Sequence, residues 1–186
     1  MSILRPQKKV FNSLRKIENL INEDNEDLEN IFVENYIARN VEITDIEIEK
    51  AIINNTEIMN GNLQNNTFID VEFNNCNFSN TSFNHIQIIN CLVNYGNFSF
   101  TTIKESILQD SSLIETSFTE STIVKTRFVQ CNLTKSEFIH TKMPGIDFST
   151  CTLNQLQIDT ASLYKIKVNL YQAVDLSKIL GLEIVE

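Results

Sequence analysis

Residues 76–100 read CNFSN-TSFNH-IQIIN-CLVNY-GNFSF, a run of five-residue blocks. The third place of each block is large and apolar: Phe78, Phe83, Ile88, Val93 and Phe98. The first place is small in Cys76, Thr81, Cys91 and Gly96, with Ile86 the exception. Carried outward in the same frame, the third place is apolar at 26 consecutive positions, from Ile43 to Val168, without one slip. With an apolar fraction of 42%, chance gives such a run roughly once in 10^10 trials, so the chain is a repeat. The frame extends back through Ala38 and Val33 to Leu28.

The first-place column continues through Thr101, Ser106, Ser111, Thr116, Ser121, Thr126, Cys131, Ser136 and Thr141 to Cys151, with Ile146 a second large member. The other places are mainly Asn, Thr, Ser, Gln and charged residues. A period of five fits neither the 3.6 of a helix nor the two of a strand. It fits a coil that turns one large and one small residue of each block inward, a solenoid.

The blocks Cys76-Asn77-Phe78-Ser79-Asn80 and Cys131-Asn132-Leu133-Thr134-Lys135 resemble those of the pentapeptide-repeat proteins. The resemblance implies an all-β solenoid, a right-handed quadrilateral β-helix with four blocks per coil. Coils spaced about 4.8 Å apart would make a rod of roughly 30 Å. Residues twenty apart then stack, and Ile58, Phe78, Phe98, Phe118, Phe138 and Ile158 form one internal ladder. Offset ring stacking would add to ordinary burial.

The chain of 186 residues has a one-domain length, with two Pro and four Gly. So few of either means that the corners of the coil are not built from Gly or Pro turns. The net charge of −9 disfavours direct binding to nucleic acid or anionic lipid and favours cationic partners. Arg5, Lys8 and Lys9 are followed by no apolar run of secretory length, and no stretch approaches the roughly 18 apolar residues of a membrane span. A soluble cytoplasmic protein is expected.

Both ends of a stacked coil need covers. Residues 1–27 are expected to form an N-terminal helical cap and acidic linker. Its helix, over residues 6–22, would carry Val10, Leu14, Ile17 and Ile21 on one face. Residues 28–168 form the β-helix. Residues 169–186 are a C-terminal helix and tail, with Asn169 and Gln172 spelling a capping box and Gly181 the stop. Leu170, Ala173, Val174, Leu176, Ile179 and Leu180 are candidate homodimer contacts; the alternative is that they cap the last coil.

Nothing in the motifs points to catalysis. Cys76, Cys91, Cys131 and Cys151 all fall in the small inward column, so their spacing follows the repeat rather than a metal knuckle. His85 and His140 lie nearly three coils apart on different faces. Paired carboxylates such as Glu47 and Glu49 sit on a rod without a cleft. No enzyme activity, metal or cofactor is expected. Charge is unevenly spread: residues 17–124 hold 18 acids against three bases, net −15, while residues 125–186 hold six against seven, net +1.

Within the family the chain is similar to the Qnr-type members that protect type II topoisomerases from quinolones. The similarity lies in length, unbroken coil and the ending Leu163…Val168…Gln172-Ala173…Leu180-Gly181-Leu182-Glu183-Ile184. It implies a homodimer joined through the C-terminal helices, mimicking DNA in the groove of DNA gyrase or topoisomerase IV. Outward acids would carry the mimicry: Glu42, Asp45, Glu47, Glu49, Asp70, Glu72, Glu105, Asp110, Glu115 and Glu120. No insertion interrupts residues 43–168, so the smooth rod itself must bind, as in loopless members. Duplex DNA would carry about 18 charges over 30 Å, twice this chain's total. The alternative is a scaffold for another protein, docking on outward Ile69, Ile89, Ile107 and Val129. A β-helix enzyme such as a lyase would need a groove of acids and bases that the sequence does not assemble.

Overall fold

The computed structural model describes residues 15–16 and 28–185. The backbone winds as a parallel β-solenoid of about seven turns, closed by one short C-terminal helix. From Leu28 on, strands pair with those twenty residues away, as in Ile48, Phe68, Ile88, Leu108 and Phe128 on the first face. The second face stacks Val33, Ile53 and Phe73. The third runs from Ala38 and Ile58 to Phe138 and Ile158. The fourth stacks Ile43, Leu63, Phe83, Ile103 and Ile123.

Inside the square, the large column is buried from Leu28 to Phe148. Phe78, Phe98, Phe118 and Phe138 stack, with centroids 4.9, 5.3 and 4.8 Å apart and planes tilted 31°, 21° and 13°. Burial of each ring contributes about 1.5–3 kcal/mol. The small column does more than leave room. Its hydroxyls donate to the carbonyl 23 residues earlier: Thr116 to Val93 at 2.7 Å, Ser121 to Phe98 at 2.6 Å, Ser136 to Leu113 at 2.6 Å and Thr141 to Phe118 at 2.8 Å. Cysteines take the same place, with Cys131 Sγ 3.2 Å from the Leu108 carbonyl. Buried backbone acceptors that no ladder reaches are thereby satisfied.

The corners explain the asparagines. Every fifth residue from Asn30 to His140 is left-handed, with φ between 47° and 60°. Asn and Asp tolerate this region because their short side chains bond locally, and they fill it at Asn35, Asn40, Asp45, Asn55, Asn60, Asn65, Asp70, Asn75, Asn80 and Asn90. Stacked amides then bond vertically, as Asn75 to Asn55 at 3.0 Å and Asn65 to Asp45 at 2.9 Å. Pro144-Gly145 makes a different corner, with Gly145 at φ 87°.

At the C-terminus the helix α1 (Leu170–Ser177) starts at Asn169, whose side chain accepts from Gln172 N while Gln172 Oε1 accepts from Asn169 N. Gln172 Nε2 also donates to the Phe148 and Cys151 carbonyls, at 2.9 and 2.8 Å. One side chain thus caps the helix and fastens it to the last coil. A 3-10 turn follows, ending at Gly181 with φ 72°. The helix expected over 6–22 lies outside the described residues except Arg15–Lys16, which are extended, not helical. They pair in parallel with Ile31 and Phe32, because the edge of the first coil offers unpaired backbone groups to any adjoining strand.

Candidate functional site

The outward acids do not spiral evenly along the rod. Glu105, Asp110, Glu115 and Glu120 occupy four successive left-handed corners, one at each corner of a single coil, and form an acidic collar around it. Asp45 and Asp70 are also corner residues. Glu47 and Glu49 flank the inward Ile48 on the first face, and Glu42 sits on the fourth. Glu72 departs from expectation. It stands on the second face in the column of Ile52 and Leu92, and only 3% of it is exposed. The same column continues through the polar Ser112, Asn132 and Thr152, and the buried Glu72 is not part of the outward negative surface.

Bases partly answer the collar. Glu105 is 3.0 Å from Lys125 Nζ and 2.9 Å from His85 Nε2, and the Lys125 bond holds its carboxyl below the usual range. Glu115 pairs with Lys135 at 3.1 Å, and Asp110 accepts from Gln109 Nε2 at 2.9 Å. Glu120 makes no ion pair among the described residues. Near the first coil, Lys50 bridges Glu29 and Glu49 at 2.8 and 2.9 Å, and these bonds hold its ammonium charged well above the ordinary lysine range. Pairs this exposed contribute little to stability, and their charges stay open to exchange for those of a partner.

The candidate dimer contacts divide in two. Leu176 packs against the protein's own core. Leu170, Val174, Ile179 and Leu180 are 76%, 38%, 38% and 56% exposed, and Ala173 is exposed beside them. A groove of about 300 Å³ runs between α1 and the last coil, lined by Leu153, Leu156, Tyr171, Leu176 and Ile179 among others. On the first face, Ile69 and Ile89 are register neighbours and Ile107 lies beside Arg127. Gln109 separates Ile89 from Val129 in their column, Ile107 stands in the neighbouring one, and all four apolar residues are half-buried.

The cysteines are buried free thiols. Burial pushes the Cys76 thiol up to about 11. The neighbouring Cys151 and burial together push Cys131 up as well, so the protonated form that donates to the Leu108 carbonyl is favoured. Among the described residues, no three His, Cys, Asp or Glu side chains converge as metal ligands, and no helix is long and apolar enough to cross a membrane. The sequence frame does not mark Tyr95 and Phe100, exposed aromatics at left-handed corners. Reading the fifth-place column beside the inward ones would have singled them out.

Residues 97–134 match the pentapeptide repeats family, in 8 copies. No curated protein matches the chain. Similar solved structures include a pentapeptide repeat protein, Rfr23, from the cyanobacterium Cyanothece 51142, at 10% identity over 74% of this chain and 91% of that one, TM-score 0.39. QnrB1, a plasmid-mediated fluoroquinolone resistance protein, is 15% identical over 78% and 100%, TM-score 0.32. HetL, a pentapeptide repeat protein involved in heterocyst differentiation regulation from the cyanobacterium Nostoc sp. strain PCC 7120, is 5% identical over 77% and 87%, TM-score 0.22. From its unbroken frame of five to its stacked square coils, the chain is built of pentapeptide repeats.

Proposed function

We propose that the protein is a non-enzymatic binding module that presents its outward acids to a basic surface of a protein partner. The collar of Glu105, Asp110, Glu115 and Glu120 carries this reading, because the four carboxylates stand one at each corner of one coil, three of them exposed and Glu105 half-buried between His85 and Lys125. Asp45, Glu47, Glu49, Glu42 and Asp70 extend the negative surface toward the first coils. The partner named by the sequence resemblance is DNA gyrase or topoisomerase IV, with DNA mimicry as the mode and protection from quinolones as the outcome. Dimerisation would run through Leu170, Ala173, Val174, Ile179 and Leu180, doubling the rod in the cytoplasm. Supercoiling by purified gyrase, with and without a quinolone, tests the partner: inhibition or protection supports it, and the absence of both sinks it.

A second reading is a scaffold that docks another protein on its first face. The half-buried outward residues Ile69, Ile89, Ile107 and Val129 on that face favour it. Retained partner capture by Ile89→Asp would count against that face.

A further inference from the structure

Tyr95 and Phe100 stand where their residue types are least at home. Among the described residues, 25 non-glycine residues have positive φ, and these two are the only Tyr and Phe, each with φ 60°. A bulky side chain in the left-handed region is strained, and strain that persists points toward function. Both rings also face water, 63% and 53% exposed, and among the described residues neither stacks on another ring.

Their positions are related. They are consecutive corners of one coil and so edge the third face on either side. Tyr95 N donates to the Ile114 carbonyl at 3.0 Å and Phe100 N to the Thr119 carbonyl at 2.9 Å. Each ring therefore has a glutamate at the same corner one coil on, Glu115 beside Tyr95 and Glu120 beside Phe100. Between these doublets the face is flat, small and uncharged. Asn97 donates to Asn77 at 3.0 Å, Ser99 and Ser117 lie 3.1 Å apart, and Ser117 donates to Thr119 at 3.0 Å.

A ring face next to a carboxylate recognises a planar cation. Guanidinium stacks on the ring and forks its N–H groups onto the carboxylate, whereas an ammonium has no plane to stack. Glu120 has no competing ion pair among the described residues, and the Lys135 pair at Glu115 is exposed and readily exchanged. We propose that the third face between Tyr95/Glu115 and Phe100/Glu120 is a docking strip for an arginine-bearing segment of a protein partner, each doublet clamping one guanidinium. The inference rests on the reading that the rod binds basic protein surfaces, and it names the face and the side chain recognised.

The test titrates the full chain into labelled hexa-arginine and hexa-lysine peptides of equal charge. Hexa-arginine is expected to bind more tightly. Tyr95→Asn and Phe100→Asn should each weaken hexa-arginine binding about three- to tenfold, leave hexa-lysine nearly unchanged, and raise Tm because Asn suits the corner. Opposite signs for stability and binding separate recognition from misfolding. Equal affinity for the two peptides, or an unchanged double variant, overturns the strip. Parallel gyrase binding tells the two readings apart. Wild type that binds gyrase without preferring arginine loses the strip and keeps the acidic-rod reading; aromatic-dependent arginine binding without gyrase binding supports the strip and removes the topoisomerase.

Discussion

Phe98 and Phe118, twenty positions apart in sequence, stack with centroids 5.3 Å apart and planes 21° from parallel. The contact exists only if four pentapeptides close each coil, since any other lap length would carry the rings to different faces. Phe118 is fully buried and also stacks on Phe138 at 4.8 Å. Phe118→Ala should cost about 3–5 kcal/mol in chemical denaturation. A loss below about 1 kcal/mol would mean that the ladder is not the core.

The corners make a finer test. Asn80 holds φ 58°, a conformation that alanine adopts only with strain and glycine adopts freely. Asn80→Ala should destabilise by about 1 kcal/mol, and Asn80→Gly by little or nothing. Equal losses for the two would contradict the left-handed corner.

Gln172 joins α1 to the coil. Gln172→Ala takes the side-chain donor from the Cys151 carbonyl, leaves the Phe148 carbonyl only its bond from Cys151 N, and removes half of the capping box. Amide exchange across Leu170–Ser177 should quicken at least tenfold, with a stability loss of about 1–3 kcal/mol. Unchanged exchange in that segment would show that the helix is held by other contacts.

Acid should loosen the last coil through Asp159. Burial works to raise its carboxyl, but the His140 and Ser162 amides, the Ser162 hydroxyl and the His140 charge outweigh it and leave the group below its ordinary value of 3.8. A depressed folded value means that its contribution is present above the unfolded value and is lost as pH falls through the folded one. Urea midpoints followed from about pH 5 down to about pH 2 should therefore fall less steeply in Asp159→Ala than in wild type. Parallel curves would remove Asp159 from the account of acid loss.

The core was legible because burial imposes a strict demand on residue type. One apolar residue per block, large at every place but Ala38, is written openly in the chain from Leu28 to Phe148. The capping pair Asn169 and Gln172 was equally readable, since its spacing belongs to helix starts. The corners were half-legible: Asn recurs there, but Lys50, Tyr95, Phe100 and Glu105 share the conformation, and no composition rule announces a tolerated strain. Glu72 was misread because its place in the block is outward by frame, while its burial depends on which residues share its column. The acidic collar needed the fold as well, because four carboxylates five residues apart become a ring only after the coil closes.

The most direct measurement titrates purified gyrase with the wild-type protein and with a variant carrying Glu105→Gln, Asp110→Asn, Glu115→Gln and Glu120→Gln, at low and raised salt. Wild type should bind, with affinity falling as salt rises, and the variant should bind at least about tenfold more weakly while melting cooperatively. Salt-independent binding, or equal affinity for the variant, would contradict an acidic rod that recognises its partner through its corners.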